Sequence, residues 1–128
     1  MLPTNDLSVS IGIDLTSTDE VRDSIRRFGD RYLERVYTAT ELRDCAGDPA
    51  RLAAHFAAKE ATIKALRAPD RLPWQTIEIR RDDSGAPSIV LSGAAQALAA
   101  QRGCRSLSVS LTHERGHAAA VVVTEGDR

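Results

Sequence analysis

Hydrophobic and polar residues alternate near the start of the chain, in the stretch SVSIGIDL at residues 8–15. An alternation with a period of two predicts a β-strand whose two faces differ in character. Small side chains occupy one face of this strand, which ends with the carboxylate of Asp14. The other face carries four larger apolar side chains, those of Val9, Ile11, Ile13 and Leu15.

Two capping boxes predict helices after this strand. Ser17 and Glu20 have the spacing at which a hydroxyl and a carboxylate cap a helix reciprocally, so a helix is expected to begin near Thr18. Thr38 and Glu41 repeat this spacing and predict a second, short helix. The pattern predicts no element for the segment YLERVYT that leads into the second box.

The first of these helices separates apolar from basic side chains. Its apolar residues, spaced for one buried face, include Phe28, and Gly29 is expected to end the helix. The residues expected to point inward are Val21, Ile25 and Phe28, and those expected to point outward are Arg22, Arg26 and Arg27.

The longest helix is predicted from about Ala50 to Leu66, between a glycine–proline turn and a segment that contains two prolines. Charged residues interrupt its apolar stripe. Lys59 projects into the middle of the stripe, and Glu60 and Lys64 lie one helical turn apart along its edge. Packing against the core does not explain charged residues in and beside the apolar stripe of this helix, so these residues are candidates for a functional role.

The second half of the chain is rich in strand patterns. TIEIRRD and PSIVLS predict two strands joined by a DDSG turn, and a helix is expected from about Gly93 to Arg102 with Ser92 as its cap. SLSVSLTH and AAAVVVT predict two further strands, with His113 on the apolar side of the first. These elements predict an α+β fold, a largely antiparallel sheet packed on one long helix, in a single domain over residues 1–128.

Composition narrows the classes of function. The chain has 128 residues, 42% of them hydrophobic and 27% charged, which predicts an ordered globule. Its net charge of −1 gives no electrostatic footprint for nucleic acid, and its longest apolar run, AAAVVV, is too short to span a bilayer. No signal-peptide pattern is visible, and Cys45 and Cys104 lack metal-ligand spacing. We therefore expect a cytoplasmic protein that binds neither nucleic acid nor membranes.

Each charged candidate, taken alone, has an ordinary structural explanation. The methylenes of Lys59 can follow apolar surface while its ammonium reaches water, in which case methionine at this position would cost little stability. If Lys59 instead serves a ligand, its cation is poorly solvated among apolar residues, and Lys59→Met is expected to keep or raise the melting temperature. Glu60 and Lys64 can form an exposed pair, and Asp14 can be a turn residue. His113 can be a hydrogen-bonded core histidine.

Taken together, the same residues suggest a metal–phosphate site. A carboxylate at the end of a strand and another on a helix suit a hard divalent cation, and Mg²⁺ commonly shares its ligands between protein and substrate phosphates. Lysines beside such a cation would meet the phosphates as point charges. The combination is typical of a pyrophosphate site.

The order of the motifs resembles that of a known family. IGIDLTSTDEV, RFGDRYLERVYTATEL, HFAAKEATIKAL, WQTIEI, GAPSIVLSG and VSLTHERGHAAAVVV occur in the order found in the holo-acyl-carrier-protein synthases. These are the small bacterial 4′-phosphopantetheinyl transferases. The resemblance covers residues 8–124, and its most specific pieces are GID, FAAKEA followed by KA, and SLTH.

The resemblance implies a reaction: transfer of 4′-phosphopantetheine from coenzyme A to a serine of an apo acyl carrier protein, with release of adenosine 3′,5′-bisphosphate. Asp14 and Glu60 would hold Mg²⁺. Lys59, Lys64 and His113 would lie near the phosphates of the coenzyme, with Glu60 and Lys64 as catalytic residues. Either Glu60 or a metal-bound water could accept the serine proton. Similar proteins are homotrimers with sites between subunits.

Three features depart from the family pattern. The family often has arginine where His55 stands, so Arg51 is an alternative contact for the 3′-phosphate of the coenzyme. The segment RAPDRLPW replaces a glycine-rich turn after KAL. Acidic residues begin the first helix where basic ones are common, which leaves Arg22, Arg26 and Arg31 as the expected docking residues for an acidic carrier.

Two other functions fit the same residues. A Mg²⁺-dependent hydrolase could cleave the pyrophosphate of coenzyme A with water as the acceptor. A non-catalytic trimeric scaffold could share the fold without the chemistry, although the intact set of charged residues argues against it.

Overall fold

The computed structural model describes residues 8–126, and residues 1–7 and 127–128 of the predicted domain lie outside this part. The predicted helices and strands occur in the expected order with one further helix among them, and the predicted α+β fold is confirmed. In chain order, the elements are β1 (Val9–Ser17), α1 (Thr18–Phe28), α2 (Asp30–Val36), α3 (Ala39–Cys45), α4 (Pro49–Ala65), a 3₁₀ turn (Trp74–Thr76), β2 (Ile77–Arg81), β3 (Pro87–Leu91), α5 (Gly93–Gln101), β4 (Cys104–Glu114) and β5 (His117–Gly126).

The strands form two antiparallel sheets. One has the order β1-β5-β4, and the other pairs β2 with β3. In the larger sheet Gly12 lies opposite Val122, and Asp14 lies opposite Ala120. Because β5 is the central strand, β1 and β4 are the edges of this sheet. Within residues 8–126, none of the helices has the length and hydrophobicity that a bilayer crossing requires.

Helix α4 packs directly on β1 and β5. Its packing surface is made of alanines, and Ala57, Ala58, Ala61 and Ala65 are completely buried. A Cβ atom built on Gly12 would lie 1.9 Å from the carbonyl oxygen of Ala61, so at this point the strand and the helix touch backbone to backbone. The small-residue face of β1 is therefore the face that lies against the helix.

The apolar face of β1 consequently points away from the core. Val9, Ile11, Ile13 and Leu15 are 58–68% exposed. Ile13 is paired with Val121 on β5, whose side chain is partly exposed on the same face of the sheet. The three-stranded sheet thus has one face covered by α4 and an opposite face with an uncovered apolar band.

The two predicted capping boxes, Thr38–Glu41 and Ser17–Glu20, make different sets of hydrogen bonds. The backbone N–H of Glu41 donates to the hydroxyl of Thr38 at 3.2 Å, and the backbone N–H of Thr38 donates to the carboxylate of Glu41 at 3.0 Å, which confirms this box. Ser17 caps α1 by accepting from the backbone N–H of Glu20 at 3.4 Å. Ser92 is the N-cap residue of α5, as predicted, although its hydroxyl makes no cap hydrogen bond.

The prediction that Phe28 points inward is wrong. Val21 is buried as expected, but Phe28 is 55% exposed. The physical reason is the segment YLERVYT, which contributes most of α2 rather than a featureless connection. Helix α1 ends at Phe28 and the chain turns at Gly29 into α2, so the ring lines a surface groove between the two helices.

The close contact of β1 with α4 predicts that Gly12→Ala destabilises the protein by about 3 kcal/mol or more, because backbone atoms must shift to admit the methyl group. Thermal and denaturant unfolding would measure the loss. Ser108→Ala, at an exposed position of β4 in the same sheet, is the control and should change stability by less than about 0.5 kcal/mol. Equal stability of the two variants would contradict the close contact.

Candidate functional site

The first half of the candidate site is the pair Asp14–Lys64. Asp14 is carried on the small-residue face of β1, where it accepts a hydrogen bond from the hydroxyl of Thr16 at 2.8 Å. The ammonium of Lys64 donates to the Asp14 carboxylate at 3.2 Å and to the carbonyl of Ile13 at 2.9 Å. The structure thus brings together two predicted site residues that are fifty positions apart in the chain.

The second half is the pair Glu60–Arg71. Glu60 precedes Lys64 by one turn of α4, so the two pairs are neighbours on the helix surface. Nη1 of Arg71 lies 3.2 Å from each carboxylate oxygen of Glu60. The guanidinium also lies over the ring of Trp74, 4.8 Å from its centroid. Arg71 belongs to the segment RAPDRLPW, and no sequence pattern had indicated it.

The donor set fits a hard cation that takes only part of its coordination from the protein. The side chains of Asp14 and Glu60 are each 16% exposed, so their oxygens are reachable from solvent. Among residues 8–126 there is no group of three or more histidine, cysteine, aspartate and glutamate side chains that could enclose a metal ion. Two carboxylates match Mg²⁺, which usually keeps water and substrate oxygens as its remaining ligands.

Lys59 does not lie at this surface. Its side chain is completely buried, and its ammonium donates to Glu41 at 2.6 Å, to the carbonyl of Trp74 at 3.1 Å and to the carbonyl of Ile77. These three acceptors match the three donors of an ammonium group. The placement of Lys59 near the phosphates is therefore wrong for this structure, and so is the alternative in which its ammonium reaches water.

Glu41 is the centre of this buried network. Its carboxylate also bonds Nδ1 of His55 at 2.8 Å and accepts from the backbone N–H of Ile79 at 3.3 Å. Burial alone would raise the pKa of Glu41, but the hydrogen bond with His55 and the charge and hydrogen bond of Lys59 outweigh it and lower the pKa. Burial lowers the pKa of Lys59, and the Glu41 carboxylate opposes that shift. His55 is an internal partner of Glu41, since it is only 2% exposed.

His113 lies in a different environment from Lys59. It is exposed and lines a cavity of about 430 Å³ to which α4 contributes Arg51 and His55, and β2 contributes Arg81. Arg81 was not indicated by any motif, because only the fold brings it to the same cavity as His113. Asp44 and Asp48 line the same cavity, and Asp48 pairs with Arg51 at 3.7 Å. The cavity therefore offers basic side chains from three elements with acidic ones at one side.

The three predicted docking arginines have different surroundings. Arg22 and Arg26 are exposed on α1 and paired with Asp19 and Asp23, at 3.2 and 2.6 Å. Arg31 lines a groove of about 460 Å³. Four aromatic residues and a second arginine line this groove as well, namely Phe28, Tyr32, Phe56, Trp74 and Arg35.

Comparison with known proteins gives consistent matches. A family model described as the 4′-phosphopantetheinyl transferase superfamily matches residues 10–122. The holo-[acyl-carrier-protein] synthase of Koribacter versatilis is 40% identical over 119 residues, which are 89% of this chain and 95% of the relative. That of Streptomyces avermitilis is 42% identical over 121 residues, 92% of this chain and 98% of the relative.

Solved structures agree with these sequence matches. The crystal structure of Helicobacter pylori holo-[acyl-carrier-protein] synthase in complex with coenzyme A is 34% identical to this chain. The superposition covers 90% of this chain and 99% of that chain, with a TM-score of 0.82. The similarity therefore extends over nearly the whole fold.

The buried network predicts that Lys59→Met destabilises the protein by about 3–5 kcal/mol, because it leaves the Glu41 carboxylate buried without its cation. This result is the opposite of the stability expected from the sequence. Denaturant unfolding monitored by circular dichroism would measure it. Lys64→Met is the control: that side chain is 53% exposed, and its loss should cost about 1 kcal/mol or less. An unchanged melting temperature for Lys59→Met would contradict the ion pair.

Proposed function

The chain belongs to the 4′-phosphopantetheinyl transferase superfamily, and on that basis we propose that it transfers 4′-phosphopantetheine from coenzyme A to a serine hydroxyl of an apo acyl carrier protein. The serine oxygen forms a bond to the β-phosphorus, and the bond from that phosphorus to the bridging oxygen breaks. The products are the phosphopantetheinylated carrier and adenosine 3′,5′-bisphosphate. The observation that carries the proposal is the ion pair between Asp14 on β1 and Lys64 on α4, with Glu60 one helical turn before Lys64.

The three residues divide metal binding, charge stabilisation and proton transfer among them. Asp14 and Glu60 would hold Mg²⁺, which supplies charge neutralisation and alignment of the pyrophosphate when it is bound. Lys64 stabilises negative charge on the phosphates, since its ammonium is exposed at the mouth of the site. Glu60, or a water molecule beside it, accepts the proton that leaves the serine. Phosphoryl transfer depends mainly on such positioning and charge stabilisation.

The cavity around His113 is the proposed site for a further phosphate of the coenzyme. His113 is joined there by Arg51 and Arg81, which can provide charge-assisted hydrogen bonds to phosphate oxygens. His55 is less accessible to a phosphate, because its side chain is only 2% exposed and its Nδ1 is bonded to Glu41 in the interior. Arg51, offered by the sequence as the alternative to His55, is therefore the residue that we assign to the 3′-phosphate.

The proposed docking surface for the carrier combines charge with aromatic area. Arg22, Arg26 and Arg31 provide positive charge, and Arg35 adds to it beside the groove. The groove exposes the ring of Phe28, which a partner can cover. An acidic, partly apolar helix of a carrier protein matches these features, since complementary charge speeds encounter and buried apolar area slows dissociation.

We also propose that the protein assembles as a homotrimer through the outer face of the three-stranded sheet. The apolar band of β1 is 58–68% exposed in the single chain, and partly exposed residues of β5 extend it. Contiguous apolar surface of this kind marks an interface in soluble proteins. A second copy of the same chain is the occupant that the family resemblance implies.

The proposed transfer predicts that an apo carrier protein gains the mass of one phosphopantetheine when it is incubated with the protein, coenzyme A and Mg²⁺. Glu60→Gln removes one charge from the site and should lower the rate at least about 100-fold, because it removes both a metal ligand and a candidate base. Intact-protein mass spectrometry measures both rates. The control is Glu125→Gln, which removes an exposed carboxylate at the end of β5.

Bisphosphate release distinguishes the competing functions. Release that needs no carrier would identify a hydrolase and contradict the transferase. No release and no mass gain under any of these conditions would identify a non-catalytic scaffold.

The proposed interface predicts that Ile13→Glu converts a trimer into a monomer, because a charge is placed in an apolar band that is buried on assembly. Light scattering coupled to size-exclusion chromatography would give the mass of each variant. Gln101→Glu, on the exposed end of α5, adds the same charge and should remain a trimer. A wild-type protein that elutes as a monomer at micromolar concentration would overturn the proposed assembly.

A further inference from the structure

Both carboxylates of the candidate site are already paired with a cation. Asp14 is paired with Lys64 at 3.2 Å, and Glu60 is paired with Arg71 at 3.2 Å. The metal ion of the proposed reaction needs the same carboxylate oxygens. When the metal ion binds, Lys64 and Arg71 must give up part of their pairing, and two positive charges become available beside the pyrophosphate.

Arg71 has the chemistry of a phosphate ligand. A guanidinium is planar and presents N–H donors in a fork that fits phosphate as well as carboxylate. The side chain is 65% exposed, so it can turn from Glu60 toward a ligand without unfolding any element. Trp74 supports the face of the guanidinium at 4.8 Å, which limits the directions that it can take.

The position of Arg71 also fits this role. It precedes the 3₁₀ turn and lines a cavity of about 640 Å³ together with Arg35 and Trp74. Arg35 and Trp74 also line the aromatic groove proposed for the carrier, so the cavity adjoins that groove. Arg71 therefore lies between the carboxylate of Glu60 and the surface from which the acceptor serine would arrive.

We propose that Arg71 is a substrate-binding residue that exchanges partners: its guanidinium pairs with Glu60 in the free protein and with the pyrophosphate of coenzyme A once a divalent cation occupies Glu60. The inference rests on the proposed function, because it takes coenzyme A as the substrate. It assigns a role to the segment RAPDRLPW, which replaces the glycine-rich turn common in the family.

Arg71→Gln tests the exchange through two binding measurements. The free protein should bind Mn²⁺, followed by electron paramagnetic resonance, about threefold more tightly, because the competing cation of an exposed pair is gone. Coenzyme A in the presence of Ca²⁺, followed by calorimetry, should bind about tenfold more weakly, because a charged hydrogen bond to phosphate is lost. Without a divalent cation, the variant and the wild type should bind coenzyme A equally.

The matched control is Arg80→Gln. Arg80 pairs with Glu78 at 2.6 Å, and the two side chains are 55% and 14% exposed, values close to those of Arg71 and Glu60. This variant loses an equivalent surface ion pair and should bind both Mn²⁺ and coenzyme A as the wild type does. The melting temperatures of the two variants establish that each is folded.

The outcomes separate the inference from the proposed function. Wild-type protein that does not bind coenzyme A even with a divalent cation would contradict the proposed function itself. If the wild type binds and Arg71→Gln binds equally well, Arg71 is only a counter-ion and the inference is wrong. If Arg71→Gln changes only the KM for the carrier protein, Arg71 contributes to carrier docking and the inference is wrong. If the variant binds coenzyme A more weakly by the same factor with and without a divalent cation, Arg71 does not exchange partners and the inference is likewise wrong.

Discussion

The backbone contact between Gly12 and Ala61 determines how the rest of the structure is arranged. A strand can approach a helix this closely only if the strand carries no side chain at the crossing and the helix carries nothing larger than a methyl group. The 1.9 Å that would separate a Cβ of residue 12 from a carbonyl oxygen shows that no space remains. The contact selects the small-residue face of β1 as the inner face. Two consequences follow: Asp14 comes within 3.2 Å of Lys64, and the apolar face is left exposed.

The second constraint is the charge inside the protein. Glu41 joins α3 to α4 and to β2 through bonds with Lys59, His55 and the backbone of Ile79. A buried ion pair of this kind contributes little net stability compared with apolar packing, but the loss of either member is costly. It therefore fixes the rotation of α4 strongly. Because Lys59 is turned inward, its neighbour Glu60 lies nearer the surface, at the site.

The limits of prediction from sequence follow from the range of each interaction. The Thr38–Glu41 box is local, and its geometry was predicted correctly. The interruption of the apolar stripe by Lys59 was visible, but its partner Glu41 is eighteen residues away. Hydrophobic periodicity indicates which face of a helix a residue lies on. It does not indicate which residues of other elements contact that face. The resemblance directed attention to Asp14, Glu60 and Lys64, whose roles remain a proposal.

Residues without a motif were missed for a related reason. Arg71 and Arg81 are ordinary surface arginines in the sequence, and only the folded chain places them beside Glu60 and His113. The two ion pairs, Asp14–Lys64 and Glu60–Arg71, also indicate what kind of ligand the proposed site would accept. In the proposed site, a cation alone would take the carboxylates of Asp14 and Glu60 and leave Lys64 and Arg71 without those partners, whereas an anion alone would compete with carboxylates that are already in place. A divalent cation and a pyrophosphate together would satisfy all four groups, so each should strengthen the binding of the other.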